Sequence, residues 1–275
     1  MVAVNNRYRN NFSAVAKRYP TVFSISLLIA ATLVSTYLGY LIPFRLLPIS
    51  HFWRVIAERS TSTLIAVGLI RLFFPVSLSR LKFKLTSKKF LISSLVIAYL
   101  VLPSLLGSGF ASFSVPQILE GFIFALFIGI DEETFSRGLI FSIFESYGVW
   151  IAAAVSSIHF GLLHAGNALW GGQSWSYTSA QICSAAAFGF LCVGLMLYSG
   201  SIWVPIVLHG LNDTPMQFQA PSKYLAEVTG QADWYGVLAQ VIAYVAIGFL
   251  LIQMSRTKDF DWLKKRFPSL FEVSS

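Results

Sequence analysis

Charge is what this chain has least of. Only 12% of its 275 residues are Asp, Glu, Lys or Arg, about half the share in an average soluble domain, and the mean hydropathy is +0.68. That composition excludes an ordinary water-soluble globule. Cysteine is scarce as well. Cys183 and Cys192 fall nine positions apart in one candidate helix, about 13 Å of axial rise, too far for a bridge, so both read as small packing residues and no disulfide framework exists. Internal repeats, low-complexity tracts and interdomain linkers are also missing, which leaves a single bundle with short loops. The net charge of +8 sits on the flanks of apolar runs, where basic residues face lipid headgroups, so no nucleic-acid partner is needed to account for it.

What the chain has in abundance is apolar runs. Segments of about 20 apolar residues, enough to cross a bilayer, fall near 22–42, 61–78, 90–109, 117–140, 148–166, 180–199, 202–218 and 234–254. The expectation is an all-α, polytopic membrane helical bundle of about eight transmembrane helices. A basic N-terminal segment and three spans occupy 1–116, a chemically distinctive core 117–218, and a last span with a basic tail 219–275. The first run is long and lacks a small-residue cleavage site, so it reads as a retained span rather than a signal peptide. Loop charge then orients the chain. Arg7, Arg9, Lys17 and Arg18 precede the first span, Arg80, Lys82, Lys84, Lys88 and Lys89 lie between the second and third, and Arg256, Lys258, Lys264, Lys265 and Arg266 follow the last. The alternate loops are poorer, holding Arg45, Arg54 and Arg59 after the first span and Lys223 between the last two. An excess of Lys and Arg marks the cytoplasmic side, so both termini are expected there.

Against this background, charges inside an apolar run stand out. Asp131, Glu132, Glu133 and Arg137 interrupt the largely apolar stretch 118–144. Each would cost about 2.5–3.5 kcal/mol at mid-bilayer, so together they must face a protein interior or a wet cavity and mark a functional site. On an α-helix Glu132 and Glu133 point about 100° apart, whereas Glu133 and Arg137 are i and i+4 on one face. Glu133 with Arg137 therefore reads as a neutralised pair, and Glu132 as a base free to face a cavity. His164 and His209 add two imidazoles from two further spans. One glutamate and two histidines are the set that activates water, either as base and positioning groups or as a metal site of His164, His209 and Glu132. The tight spacing of a zinc-protease helix is missing, so a metal-free, glutamate-activated water is favoured, with a divalent ion such as zinc as the alternative. His159, about 140° from His164 on the same helix, and His51 read as packing residues.

These residues carry a resemblance. Glu132-Glu133-x-x-x-Arg137, Phe160-x-x-x-His164, the Phe188-Gly-Phe stretch and His209-x-x-x-Asp213 resemble the ordered motifs of the CPBP family. That family comprises the CAAX-protease and bacteriocin-processing membrane endopeptidases and includes the type II CAAX prenyl endopeptidases. The resemblance covers 117 to about 218. It implies that Glu132 activates the attacking water with His164, that Arg137 supports the glutamate pair, and that His209 with Asp213 stabilises the oxyanion. The family commonly has Asn at the last position, a neutral donor. Asp213 donates only when protonated, with Asn212 beside it as another amide and orientation of His209 as another role for the carboxylate. The implied activity is endoproteolysis of a membrane-associated or lipidated protein or peptide, and the expected location is a bacterial cell membrane. At the level of residues alone, a proton-coupled transporter and a non-catalytic membrane scaffold or immunity protein stand beside it, the former without the inverted repeat that would support it.

Overall fold

The structure, a computed structural model, describes residues 18–41, 46, 48–81, 86–107, 113–218 and 228–256. Among these residues it is almost entirely helical, with no strand. Helix α1 spans Pro20–Leu41, α2 His51–Phe73, α3 Ser87–Gly107 and α4 Val115–Glu133. Without a break α4 continues as a π-helical segment, Thr134–Ile140, and a last turn, Phe141–Phe144. There follow α5 Val149–Leu163, the short α6 Ala165–Leu169, α7 Trp175–Ser199, α8 Trp203–Asp213 and α9 Trp234–Arg256.

Local chemistry sets several of these boundaries. Ser50 and Ser174 cap α2 and α7, each accepting a hydrogen bond from a backbone N–H three residues on. Ser114 donates its own N–H to Gln117 Oε1 at 2.9 Å ahead of α4, which satisfies an orphan donor of the first turn. Gly200, at φ +75°, closes α7 in the left-handed conformation that a Cβ would strain. The Ser50 cap also explains why α2 begins at 51 rather than 61. Arg54 and Arg59, counted above as loop charges, therefore lie inside a helix.

Helix α7 is the central post, packed on α9, α5 and α8, while α4 is clasped between α2 and α8. The core divides into three apolar clusters. One, around Leu191, Leu195 and Leu208, joins α7, α8 and α9. A second, around Phe141, Ala152 and Val193, ties the end of α4 to α5 and α7. The third, around Ile70, Leu139 and Ile140, seats α2 on the π-helical segment. Contacts at the two ends alternate along the chain. At one end Arg80 is ion-paired with Glu145, and Ile202 N–H donates to Arg80 O at 2.9 Å, which gathers the α2–α3, α4–α5 and α7–α8 junctions. At the other, Ser174 N–H donates to Val228 O at 3.0 Å, joining the α6–α7 and α8–α9 junctions.

The outer face is greasy. Val22, Ile25, Ile29 and Leu33 of α1, Leu91, Leu95, Tyr99 and Leu102 of α3, and Leu238, Ile242, Val245 and Phe249 of α9 are exposed at helical spacing. Continuous apolar stripes of that kind belong against lipid rather than water. Among the described residues three helical stretches are long and apolar enough to cross a bilayer: Val149–Leu169, Trp175–Ser199 and Trp234–Arg256. The protein is an integral membrane protein. Helices α2 and α4 escape that criterion because they carry charge, and α8 because it is short.

Candidate active site

The four charges of α4 divide as their angular positions require. Glu133 and Arg137 are wholly buried, with Arg137 Nε 3.1 Å from Glu133 Oε2. The ring of Phe160 lies 4.4 Å from the guanidinium carbon, a cation–π contact. Room for the guanidinium comes from Gly189, where a Cβ would stand 2.9 Å from Arg137 Nη2 and 3.2 Å from Ser157 Cα. The segment is π-helical, not α-helical as expected. Phe141 N–H donates to Ser136 O, five residues back, and such bulges are frequent at functional sites. The Glu133–Arg137 pairing survives the change.

Glu132 turns the other way. Its side chain keeps 25% of its surface exposed. Oε1 accepts from Arg59 Nη1 at 3.3 Å, and Oε2 lies 3.6 Å from His209 Nε2. Asp131, nearly buried, takes the same Arg59 nitrogen at 3.0 Å.

His209 joins the glutamates from α8. Its Nδ1 is 2.7 Å from Glu133 Oε1, and its Nε2 faces Asp213 Oδ2 at 3.4 Å as well as Glu132. The imidazole stands edge-on between the rings of Phe160, 5.8 Å away, and Phe188, at 5.3 Å. The carboxylate bonded to Nδ1 is thus Glu133, and Asp213 approaches the other nitrogen. Close approach of α8 to α4 makes this possible. A Cβ on Gly129 would meet Ile206 O at 2.9 Å, and one on Gly210 would meet Leu126 Cα at 3.1 Å.

His164 caps α5, with Nδ1 3.0 Å from Phe160 O. Donation of the Nδ1 proton to that carbonyl leaves Nε2 as the acceptor nitrogen of the neutral ring. The Phe160 ring, which carries the Arg137 guanidinium on its face, is T-shaped against both imidazoles, with centroids 5.2 Å from His164 and 5.8 Å from His209. Among the described residues no hydrogen bond or ion pair joins His164 to Glu132 or His209, and no three His, Cys, Asp or Glu side chains are grouped to hold a metal. Glu133 takes only the Nδ1 side of His209, and Nε2 is left facing Asp213 and Glu132.

The remaining expectations concern bystanders. His159 bonds Thr32 Oγ1 at 2.8 Å and packs on Phe135. His51 packs on Phe124. Both cysteines are free.

A cavity of about 500 Å³ opens along α4 at Gln117 to Phe124, about two helical turns ahead of Glu132. Phe52, Phe113, Phe124 and Phe218 line it together with Gln117, Glu120 and Gln217. Gln217 lies one turn past Asp213.

Residues 114–215 match the model of the Rce1-like family, the type II CAAX prenyl endopeptidases. Those residues are a CAAX-protease domain of the CPBP family. That family consists of peptide hydrolases, and the matched segment contains Glu132, Glu133, Arg137, His164, His209 and Asp213. No curated protein and no solved structure matches the chain. The CAAX-protease domain does not contain Arg59, which reaches it from α2. Arg59 was legible as a charge but not as a site residue. The signal lay in its register, since it shares one helix stripe with Ile56, Ser62, Ala66 and Ile70, all buried.

Proposed function

We propose that this protein is an intramembrane endopeptidase that hydrolyses a peptide bond of a membrane-associated or lipidated protein or peptide with a water activated by Glu132. The observation that carries the reading is the contrast between the two glutamates. Glu133 is wholly buried and committed to Arg137 and His209, whereas Glu132 keeps an open face with Oε2 beside His209 Nε2. A base must reach its water, and only the partly open carboxylate is placed to do so. The hydrolase family of the segment favours this over a proton relay or an inert scaffold.

In the proposed reaction Glu132 takes a proton from water, and His164 Nε2, left as an acceptor by the Phe160 carbonyl, helps to orient that water. The hydroxide oxygen attacks the carbonyl carbon. His209, donating from Nδ1 to Glu133, offers an N–H at Nε2 to the oxyanion in its protonated form, and Asp213 helps to place it. Collapse breaks the C–N bond, the proton on Glu132 passes to the leaving nitrogen, and a carboxyl and an amino terminus result. The aromatic cavity beside Gln217 is positioned for an apolar or lipidated part of the substrate.

We further infer eight crossings with both termini on the cytoplasmic side. The alternating ends of the bundle and the basic residues at the Arg80 end support that count. Arg59 with Asp131 and Glu132, and Arg137 with Glu133, partner the charges that α2 and α4 would carry into the bilayer. The test of the activity is cleavage of a quenched-fluorescent peptide, farnesylated at a cysteine three residues from its C-terminus, by the full chain in proteoliposomes. A panel of unmodified membrane peptides forms the second arm. Cleavage by wild type and none by Glu132→Gln supports the reading, and equal rates for the two proteins overturn it.

A further inference from the structure

The cation on Glu132 comes from outside the matched domain. We propose that Arg59 is a positioning residue for Glu132, gripping Oε1 so that Oε2 is held toward His209 and the open side of the site. This rests on the reading of Glu132 as the base.

Three observations support it. A single nitrogen, Nη1, lies 3.0 Å from Asp131 Oδ2 and 3.3 Å from Glu132 Oε1, so Asp131 anchors the guanidinium and Glu132 receives it. The other nearby guanidinium is unavailable, because Arg137 is buried against Glu133 and Phe160. Among the described residues, then, Arg59 is the arginine that meets the repulsion between the adjacent carboxylates Asp131 and Glu132. The third observation is direction. Helices α2 and α4 run side by side in the same sense, with Phe52 against Phe124 at one level and Arg59 against Asp131 and Glu132 at the next. That packing holds the arginine to the Glu132 level whatever the exposed side chain of Glu132 does. A partly exposed glutamate has several rotamers, and fixing one oxygen selects the rotamer that leaves the other for water.

The consequence belongs to turnover rather than to binding. Misplacing a reacting group by about 1 Å can cost about 100-fold in rate, and a group acting on the chemical step alone lowers kcat with little change in KM. Arg59 is also partly exposed, so a small cation can enter the space left by its removal.

The experiment compares full-length wild type, Arg59→Ala, Arg59→Gln and Glu132→Gln in proteoliposomes. Infrared difference spectra between wild type and Glu132→Gln isolate the Glu132 carboxylate without any substrate, and the same difference is taken in the Arg59→Ala background. The expected result is a displaced carboxylate band in Arg59→Ala and a kcat on the farnesylated peptide lowered by about 100-fold. KM should stay within about threefold, and added guanidinium should return both band and kcat toward wild type. Arg59→Gln keeps a donor for Asp131, and should show the same loss of kcat at wild-type thermal stability even if the alanine variant folds poorly. An unmoved band with wild-type kcat in either variant would overturn the proposal. So would a loss of kcat that follows the melting temperature and does not respond to guanidinium. Should Glu132→Gln itself turn over normally, the base reading fails. A dead Glu132→Gln beside normal Arg59 variants removes Arg59 alone.

Discussion

At Glu132 a quarter of the side-chain surface is open and Oε2 stands 3.6 Å from His209 Nε2, while at Glu133 no surface is open and both oxygens have cationic or imidazole partners. Reactivity should divide the same way. Loss of a general base costs about 100- to 10,000-fold in rate, so Glu132→Gln is expected to lower kcat by that factor while the purified protein keeps its melting temperature. A rate near wild type in the presence of normal folding would remove Glu132 from the mechanism. For His209 the expected loss is that of an oxyanion donor, about 100- to 1,000-fold, and it should follow His209→Ala. Asp213→Asn replaces a carboxylate by an amide that donates without being protonated, so most of the turnover should remain. Elemental analysis of the same preparations checks the metal alternative. About one zinc per chain, lost together with activity in His164→Ala or His209→Ala, would establish the His164, His209 and Glu132 metal site.

The element that decides the site is α4, because it presents Asp131, Glu132, Glu133 and Arg137 in succession and changes winding at Thr134. Its neighbours are shaped to receive it. Gly189 of α7 leaves the volume that Arg137 fills, so Gly189→Ala sets a methyl against both the guanidinium and the Ser157 backbone. Overpacking of this kind costs about 1–3 kcal/mol. Breaking a buried ion pair by removing one partner costs more, about 3–5 kcal/mol. Arg137→Ala should therefore lower thermal stability further than Gly189→Ala, and activity should fall with it. Detergent-solubilised variants followed by thermal unfolding will rank the two, and the reverse order would mean that the Glu133–Arg137 pair contributes little to the fold.

At the scale of the whole molecule, the two ends of the bundle make separate sets of contacts, Arg80 with Glu145 and Ile202 at one and Ser174 with Val228 at the other. If the chain crosses eight times, Thr86 and Trp170 lie on opposite sides of the membrane. Single cysteines at these positions, in a Cys183→Ser background, should label from opposite faces in oriented vesicles, with Thr86 cytoplasmic. Labelling of both from one face would break the alternation.

Composition and pattern determined a good deal of this by themselves. The apolar runs located the helices, because a chain with so little charge has few other ways to satisfy its backbone than helices in lipid. The angular step of a helix separated Glu132 from Glu133, since a difference of about 100° survives any packing. The motif order named the family. Tertiary structure decided what depends on which helices meet. Arg59 read as a loop charge until the Ser50 cap placed it inside α2, and nothing along the chain says that residue 59 will stand beside residue 132. The winding change at Thr134 and the seating of Arg137 against Phe160 and Gly189, two residues from other helices, are likewise tertiary features. The contact of Phe160 with both histidines is of the same kind. Spacing says that His164 is one turn from Phe160, but only the tertiary structure brings the same ring to 5.8 Å from His209.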